Sequence, residues 1–390
     1  AVPLARAVPL ARAVPLARAV PLARAVPLAR AVPVARAVPL VRAVPVVRAA
    51  PVEAMFGPTL DTRTLAAALR DLVHDKPEVR ASAARDLRQV EPAARVEAVA
   101  ALVRALGDSH PMVREAAAEA LASQAPVEAL ERLLDVADED VTAVRQAALM
   151  AVGAIGDARS ARRLERLLDD DAPEVRFQAL IAYARSATRG RALEVLLRAT
   201  DDPDPLVGHI ALRMAEELGD DEGPVAPPIL ARCVELVVRA APEVRVAAAI
   251  ILARAGRRDG VAPLLAVIDG ELLTTQAEDE AAAIELAGEL GLRKALPALR
   301  RRAFGGALGF GGDRFAWQAR VALARLGDER ARRWILGELR SFSRERRTLG
   351  AAAAGRAKLT EARAMLEAMR GDARRADTDA VEQAIRELGE

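Results

Sequence analysis

From about Pro58 onward, apolar residues return at steps of three and four, as in Leu65, Leu69, Leu72 and Val73, which is the spacing of amphipathic helices. The helices come in pairs. The second helix of each early pair aligns on Val79, Val113, Val144, Val175, Val207 and Val244, at intervals of 34, 31, 31, 32 and 37 residues, enough for two helices and two turns. A recurring period of this size predicts a solenoid, in which each unit packs only on its neighbours. Four positions after each Val stands an Ala (Ala83, Ala117, Ala148, Ala179, Ala211 and Ala248), on the helix face that the Val shares. A small side chain there lets neighbouring helices approach closely. Pro77, Pro111, Pro173, Pro205 and Pro242 stand just ahead, in the first turn, where a missing N–H costs nothing. Looser copies follow in EDEAAAIELAGELG, FAWQARVALARLGD and DAVEQAIRELG, so that about ten helix pairs fill residues 59–390.

The first 54 residues follow another rule. AVPLAR occurs five times from Ala1 to Arg30 and drifts through AVPVAR, AVPLVR and AVPVVR to Arg48. Proline at every sixth position forbids a continuous α-helix. An extended, disordered arm is expected over residues 1–54, and in polyproline geometry each Arg returns to one edge. The first 52 residues hold eight Arg and no acid; against a whole-chain charge of +2 this leaves −6 for residues 53–390. The array is therefore a poor candidate for nucleic acid, whose binders display a basic footprint, and only the arm could supply one. The near-identity of the first units, with 54 Arg against 3 Lys, favours a solvated low-complexity arm from repeat expansion.

Apolar residues make up 52% of the chain and aromatic ones 2%, so the interior must close on Ala, Leu, Val and Ile, as where helices pack through small residues. The single cysteine, Cys233, lies on an apolar helical pattern and reads as a buried small hydrophobe. No run of eighteen apolar residues exists, and the Arg-punctuated amino-terminal segment lacks a signal peptide's apolar core. A cytoplasmic protein with no membrane span is expected. The chain begins in register with its repeat and without Met, as a trimmed or partial chain would.

An Asp a few residues before Val-Arg, with Gly-Asp closing the second helix (Gly107-Asp108, Gly156-Asp157, Gly327-Asp328), resembles the HEAT repeats, and most of all the bacterial phycobilisome-lyase-like HEAT repeats. The resemblance covers nearly all of the chain after the arm. It implies an all-α, right-handed solenoid of the armadillo type. It also implies a structural ladder of Asp and Arg between adjacent repeats, matched here by Asp75 with Arg80, Asp108 with Arg114, Asp140 with Arg145 and Asp171 with Arg176. Gly208 stands in the Arg position of the fifth repeat and Ala240 in the Asp position of the sixth. The gap at Gly208 is expected to alter curvature.

Catalytic chemistry is hard to find. His74, His110 and His209 fall on three repeats, without the spacing of a helical metal pair. None is followed by Glu, whereas the HEAT-like deoxyhypusine hydroxylases carry His-Glu pairs for iron. The glycine-rich stretch from Gly305 to Gly312 lacks the Lys-Ser/Thr of a phosphate loop and reads as an inter-repeat loop. Trp317 and Trp334 read as packing anchors. No catalytic residue, metal or cofactor is expected.

In solenoids of this type the second helices line the concave side. Positions two and six after each reference Val would then form the contact surface: Glu115 and Glu119, Gln146 and Met150, Phe177 and Ile181, His209 and Arg213, an acidic entrance leading to an apolar centre. The sequence thus predicts a non-catalytic scaffold that binds a protein partner along this face. The alternatives are a bilin-lyase-like enzyme or accessory, and an adaptor whose basic arm meets nucleic acid.

Overall fold

The structure is a computed structural model that describes residues 64–219, 225–305 and 313–389. The arm of residues 1–54 and the glycines from 306 to 312 lie outside the described residues.

Among the described residues there are twenty α-helices in ten consecutive pairs, and no strand. They are α1 (Leu65–Asp71) with α2 (Pro77–Asp86), α3 (Arg95–Ala105) with α4 (Pro111–Gln124), α5 (Leu130–Glu139) with α6 (Thr142–Ile155), α7 (Ala161–Leu167) with α8 (Pro173–Ser186), and α9 (Arg189–Ala199) with α10 (Pro205–Leu218). Then come α11 (Pro227–Arg239) with α12 (Pro242–Arg254), α13 (Val261–Asp269) with α14 (Ala277–Glu289), α15 (Leu296–Phe304) with α16 (Ala316–Arg325), α17 (Glu329–Leu339) with α18 (Arg344–Arg356), and α19 (Arg363–Glu367) with α20 (Thr378–Gly389). The glycine-rich stretch therefore joins the two helices of one pair, α15 and α16, and does not join two repeats.

The prolines open α2, α4, α8, α10 and α12 at their first residue, where a fixed φ suits the helix and no bond is lost. A 3-10 turn leads into many of the first helices, as Val127–Ala129 does before α5. Left-handed Gly156 caps α6, a conformation that a side chain would strain.

Each second helix packs on its own first helix and on the second helices before and after it. Val113, Val144 and Val175, with Ala117, Ala148 and Ala179 one turn on, are fully buried. Burying a Val or Leu side chain contributes about 1.5–3 kcal/mol, and the core repeats this layer along the stack. Small residues set the spacing: a Cβ on Gly355 of α18 would stand 2.7 Å from the Cα of Ala384 on α20, so only glycine permits that approach. Helix α12 differs from the rest in having a run from Val246 to Ala253 buried on all sides. Trp317 and Trp334 are partly buried against the core of the later repeats. Arg320 lies over the Trp334 ring at 4.5 Å and the Phe304 ring at 5.4 Å, and Arg356 over the Trp317 ring at 5.5 Å.

Candidate partner-binding face

The ladder runs between repeats. Arg80 grips Asp108 through two bonds of 2.8 Å, Arg114 grips Asp140 through two of 2.5 Å, Arg145 reaches Asp170, and Arg176 holds Asp202 at 2.7 and 2.9 Å. Each Arg thus takes the carboxylate of the following repeat, while its remaining N–H returns to a carbonyl of its own repeat, in the loop for Arg114 (Asp108 O, 2.9 Å) and in α5 for Arg145 (Ala137 O, 2.8 Å). The pairing Asp75 with Arg80, or Asp108 with Arg114, is made through the carbonyl and not through the carboxylate.

Two of the expected ladder acids are displaced by one residue. The ladder Asp stands three positions before the helix-opening Pro and also accepts from the amide two residues on: Asp108 from His110 N, Asp170 from Ala172 N, Asp202 from Asp204 N. Asp171 stands only two before Pro173 and is exposed, so Asp170 is the rung. Asp75 likewise stands two before Pro77. The position before it holds His74, whose Nδ1 accepts from Lys76 N at 3.0 Å and closes the same turn. His110 Nδ1 in turn caps α4 by accepting from Met112 N.

At Gly208 the rung is absent, and a Cβ there would meet the Val244 side chain at 3.0 Å. Arg232 of α11 supplies a different link, to Thr200 Oγ1 at 2.9 Å and to Asp201. At Ala240 the carbonyl accepts from Arg245 at 3.0 Å.

From α10 to α18 the second helices lie on the inner side of the stack, because two contacts there skip a repeat altogether. His209 Nε2 of α10 is 2.7 Å from Asp279 Oδ2 of α14, and Arg356 of α18 is 3.4 Å from Glu285 of α14. Only the inner side of a bent stack brings such helices together. The sequence-predicted face divides accordingly. His209 is buried in its pair with Asp279, and Arg213 is tied to Glu216 at 2.6 Å, with Arg254 on the other carboxylate oxygen. Val246 and Ile250, at the equivalent positions of α12, are wholly buried. His209 is therefore withdrawn from the contact surface by the tightening of the stack.

Glu115, Glu119, Gln146, Met150, Phe177 and Ile181 remain half-buried on α4, α6 and α8. Phe177 and Ile181 rest against the core on one side and keep the other open. Burial pushes the Glu115 carboxyl above its ordinary range, and the neighbouring Glu119 charge pushes it the same way, against Arg85. Glu285 is raised mainly by burial too, with Arg356 opposing. Charge along the array is polarised: residues 53–289 hold 27 Lys and Arg against 42 Asp and Glu, while residues 290–390 hold 22 against 13. The open part of the face belongs to the acidic portion.

The Cys233 thiol is buried, which pushes it up to about 12 and leaves it no thiolate at neutral pH. Among the described residues no three His, Cys, Asp or Glu side chains converge as a metal site would require, and no helix is long and apolar enough to cross a membrane.

Residues 62–153 and 127–184 match the family model of HEAT repeats. No match was found among curated proteins. Among solved structures, Escherichia coli YibA aligns at 20% identity over 67% of this chain and 91% of its own, with a TM-score of 0.45. The CpcE–CpcF complex of phycocyanin lyase from Nostoc aligns at 21% over 63% and 94%, with 0.39. Kap95p, in a complex with RanGDP, aligns at 17% over 83% and 51%, with 0.44. With residues 62–184 matching the HEAT-repeat model, and ten consecutive helix pairs of which the first five are joined rung to rung, this chain is an α-solenoid that carries HEAT repeats in that stretch.

Proposed function

We propose that the chain is a protein-interaction scaffold without chemistry of its own, and that its partner lies along the inner face of α4, α6 and α8. Residues 59–390 are the scaffold and residues 1–54 an appended basic arm. The observation that carries this reading is the half-open row of Met150, Phe177 and Ile181. Large apolar side chains kept partly in water beside a closed core are the usual anchors of an interface. Glu115 and Glu119 at its entrance favour a partner segment that is apolar with a basic flank. The reading is supported by the commitment of all three histidines to turns or to a buried pair, and by the inert thiol of Cys233.

Affinity capture with the full chain tests the proposal. The double variant Phe177→Ser, Ile181→Ser should lose a partner that wild type retains, while its circular dichroism stays helical. Anchors of this kind contribute about 2 kcal/mol or more each, so retention should fall at least tenfold. Equal retention of every bound protein by variant and wild type would place the interface elsewhere.

A further inference from the structure

We propose that the cleft at the start of α9, between the fourth and fifth helix pairs, is a binding site for a phosphoryl group. Its polar lining is Arg159 in the turn before α7, Arg162 and Glu165 of α7, Tyr183 and Ser186 at the end of α8, and Thr188 and Arg191 at the beginning of α9.

Helix α9 has eleven residues, and its first N–H groups lack intrahelical partners, as in any helix. Thr188, the N-cap, makes no capping bond with its side chain, and the first turn holds no acid. It holds Arg189 and Arg191 instead, cations at the positive end of the helix dipole, an arrangement that a bound anion relieves. Gly190 leaves the approach open, since a Cβ there would meet nothing within 4 Å.

Ser186 is the independent sign. It is 5% exposed and lines the cleft, yet its Oγ is buried with no hydrogen-bond partner. A hydroxyl in that state costs stability unless something completes it. The surrounding charges are already arranged. Tyr183 OH donates to Glu165 Oε1 at 2.8 Å, and the same oxygen lies 3.6 Å from Arg191 Nη1, which holds that guanidinium at the rim. Arg159 is engaged by Asp157 at 2.8 Å. Arg162 is exposed, and among the described residues no carboxylate pairs with it. Ser186, the first turn of α9 and the guanidinium-bearing Arg162 and Arg191 therefore line one cleft, with the Glu165 carboxylate at its edge tied to Tyr183 and Arg191. A tetrahedral, doubly charged group with three free oxygens satisfies donors from so many directions, where a planar carboxylate with two oxygens would leave some unmet. The ligand is a phosphate monoester, either a free small molecule or a phosphorylated side chain of a partner.

Calorimetric titration of the full chain decides this, with inorganic phosphate and a capped phosphoserine peptide as probes and acetate at equal ionic strength as the control. Saturable one-to-one binding of a phosphate probe is expected, weakened about tenfold or more in Arg162→Gln with Arg191→Gln, and about threefold or more in Ser186→Ala. Binding of phosphate alone assigns the cleft to a small phosphate, and binding of the peptide assigns it to a phosphorylated partner. Without phosphate, Ser186→Ala should melt no lower than wild type, because it removes an unpartnered hydroxyl. Should the double arginine variant fail to fold, Ser186→Ala decides alone. Absence of saturable binding by both probes, or equal binding by the variants and wild type, overturns the proposal.

Discussion

His209 Nε2 and Asp279 Oδ2 are 2.7 Å apart although 70 positions separate them in the chain. The repeat between them, with α12, is enclosed by the contact. Asp279 occupies a core position. It stands nine residues before Gly288, as Val144 stands nine before Gly153, and both glycines abut an alanine of the next inner helix, Ala322 and Ala182 respectively. An acid has replaced the core Val of α14, and an inner-face His of α10 satisfies it. The pair starts beside Gly208, where the rung of the ladder is missing, so the stack exchanges an edge fastening for an inner one.

Removing one partner should therefore cost more than removing both. Asp279→Ala leaves a buried imidazole without its acceptor, and a loss of about 1–3 kcal/mol is expected in urea unfolding. His209→Leu with Asp279→Val restores an apolar contact and should recover most of it. A double-mutant cycle with no coupling between the two positions would show that the contact carries no stability.

That contact was beyond the reach of a sequence reading, whereas the period that surrounds it was not. Val113 and Ala117 announce their burial through local spacing alone, and Pro111 announces the start of its helix. The rung at Asp170 is not legible in the sequence, because the run Asp169-Asp170-Asp171 offers no local signal for choosing among its members. The choice follows from turn geometry: Asp170, three positions before Pro173, accepts from the amide of Ala172 and faces Arg145 of the preceding repeat. The burial of His209, like the cleft at Ser186, depends on the angle between successive repeats, which no single helix encodes.

Adjacent aspartates should consequently behave very differently. Asp170 is bound by Arg145 and by an amide, with both side chains of the pair largely covered, whereas Asp171 is exposed. Asp170→Ala should destabilise by about 1–3 kcal/mol, between an exposed pair's ~0–1 and a fully buried pair's ~3–5. Asp171→Ala should stay within about 0.5 kcal/mol of wild type. Equal unfolding midpoints for the two variants would remove Asp170 from the ladder.

The same rungs set the response to acid. Hydrogen bonds from Arg80 and Arg114 hold the Asp108 and Asp140 carboxyls below their ordinary value, near 3.9 for a free Asp, and these bonds outweigh the opposing effect of burial. A carboxyl with a depressed folded pKa stabilises the fold above its unfolded pKa and loses that contribution as pH falls through the folded one. Glu115 and Glu285 have the opposite sign. Their folded pKa values are raised, chiefly by burial, so their ionised forms weigh against the fold at neutral pH and that penalty lifts as pH falls through the raised values. Urea midpoints should therefore hold or rise slightly between pH 7 and about 5, then fall steeply below about 4. Asp108→Asn with Asp140→Asn should flatten the acid limb, and Glu115→Gln should raise the midpoint at pH 7 while converging on wild type near pH 4. An acid limb of unchanged steepness in the double Asn variant would show that acid unfolding is driven from outside the ladder.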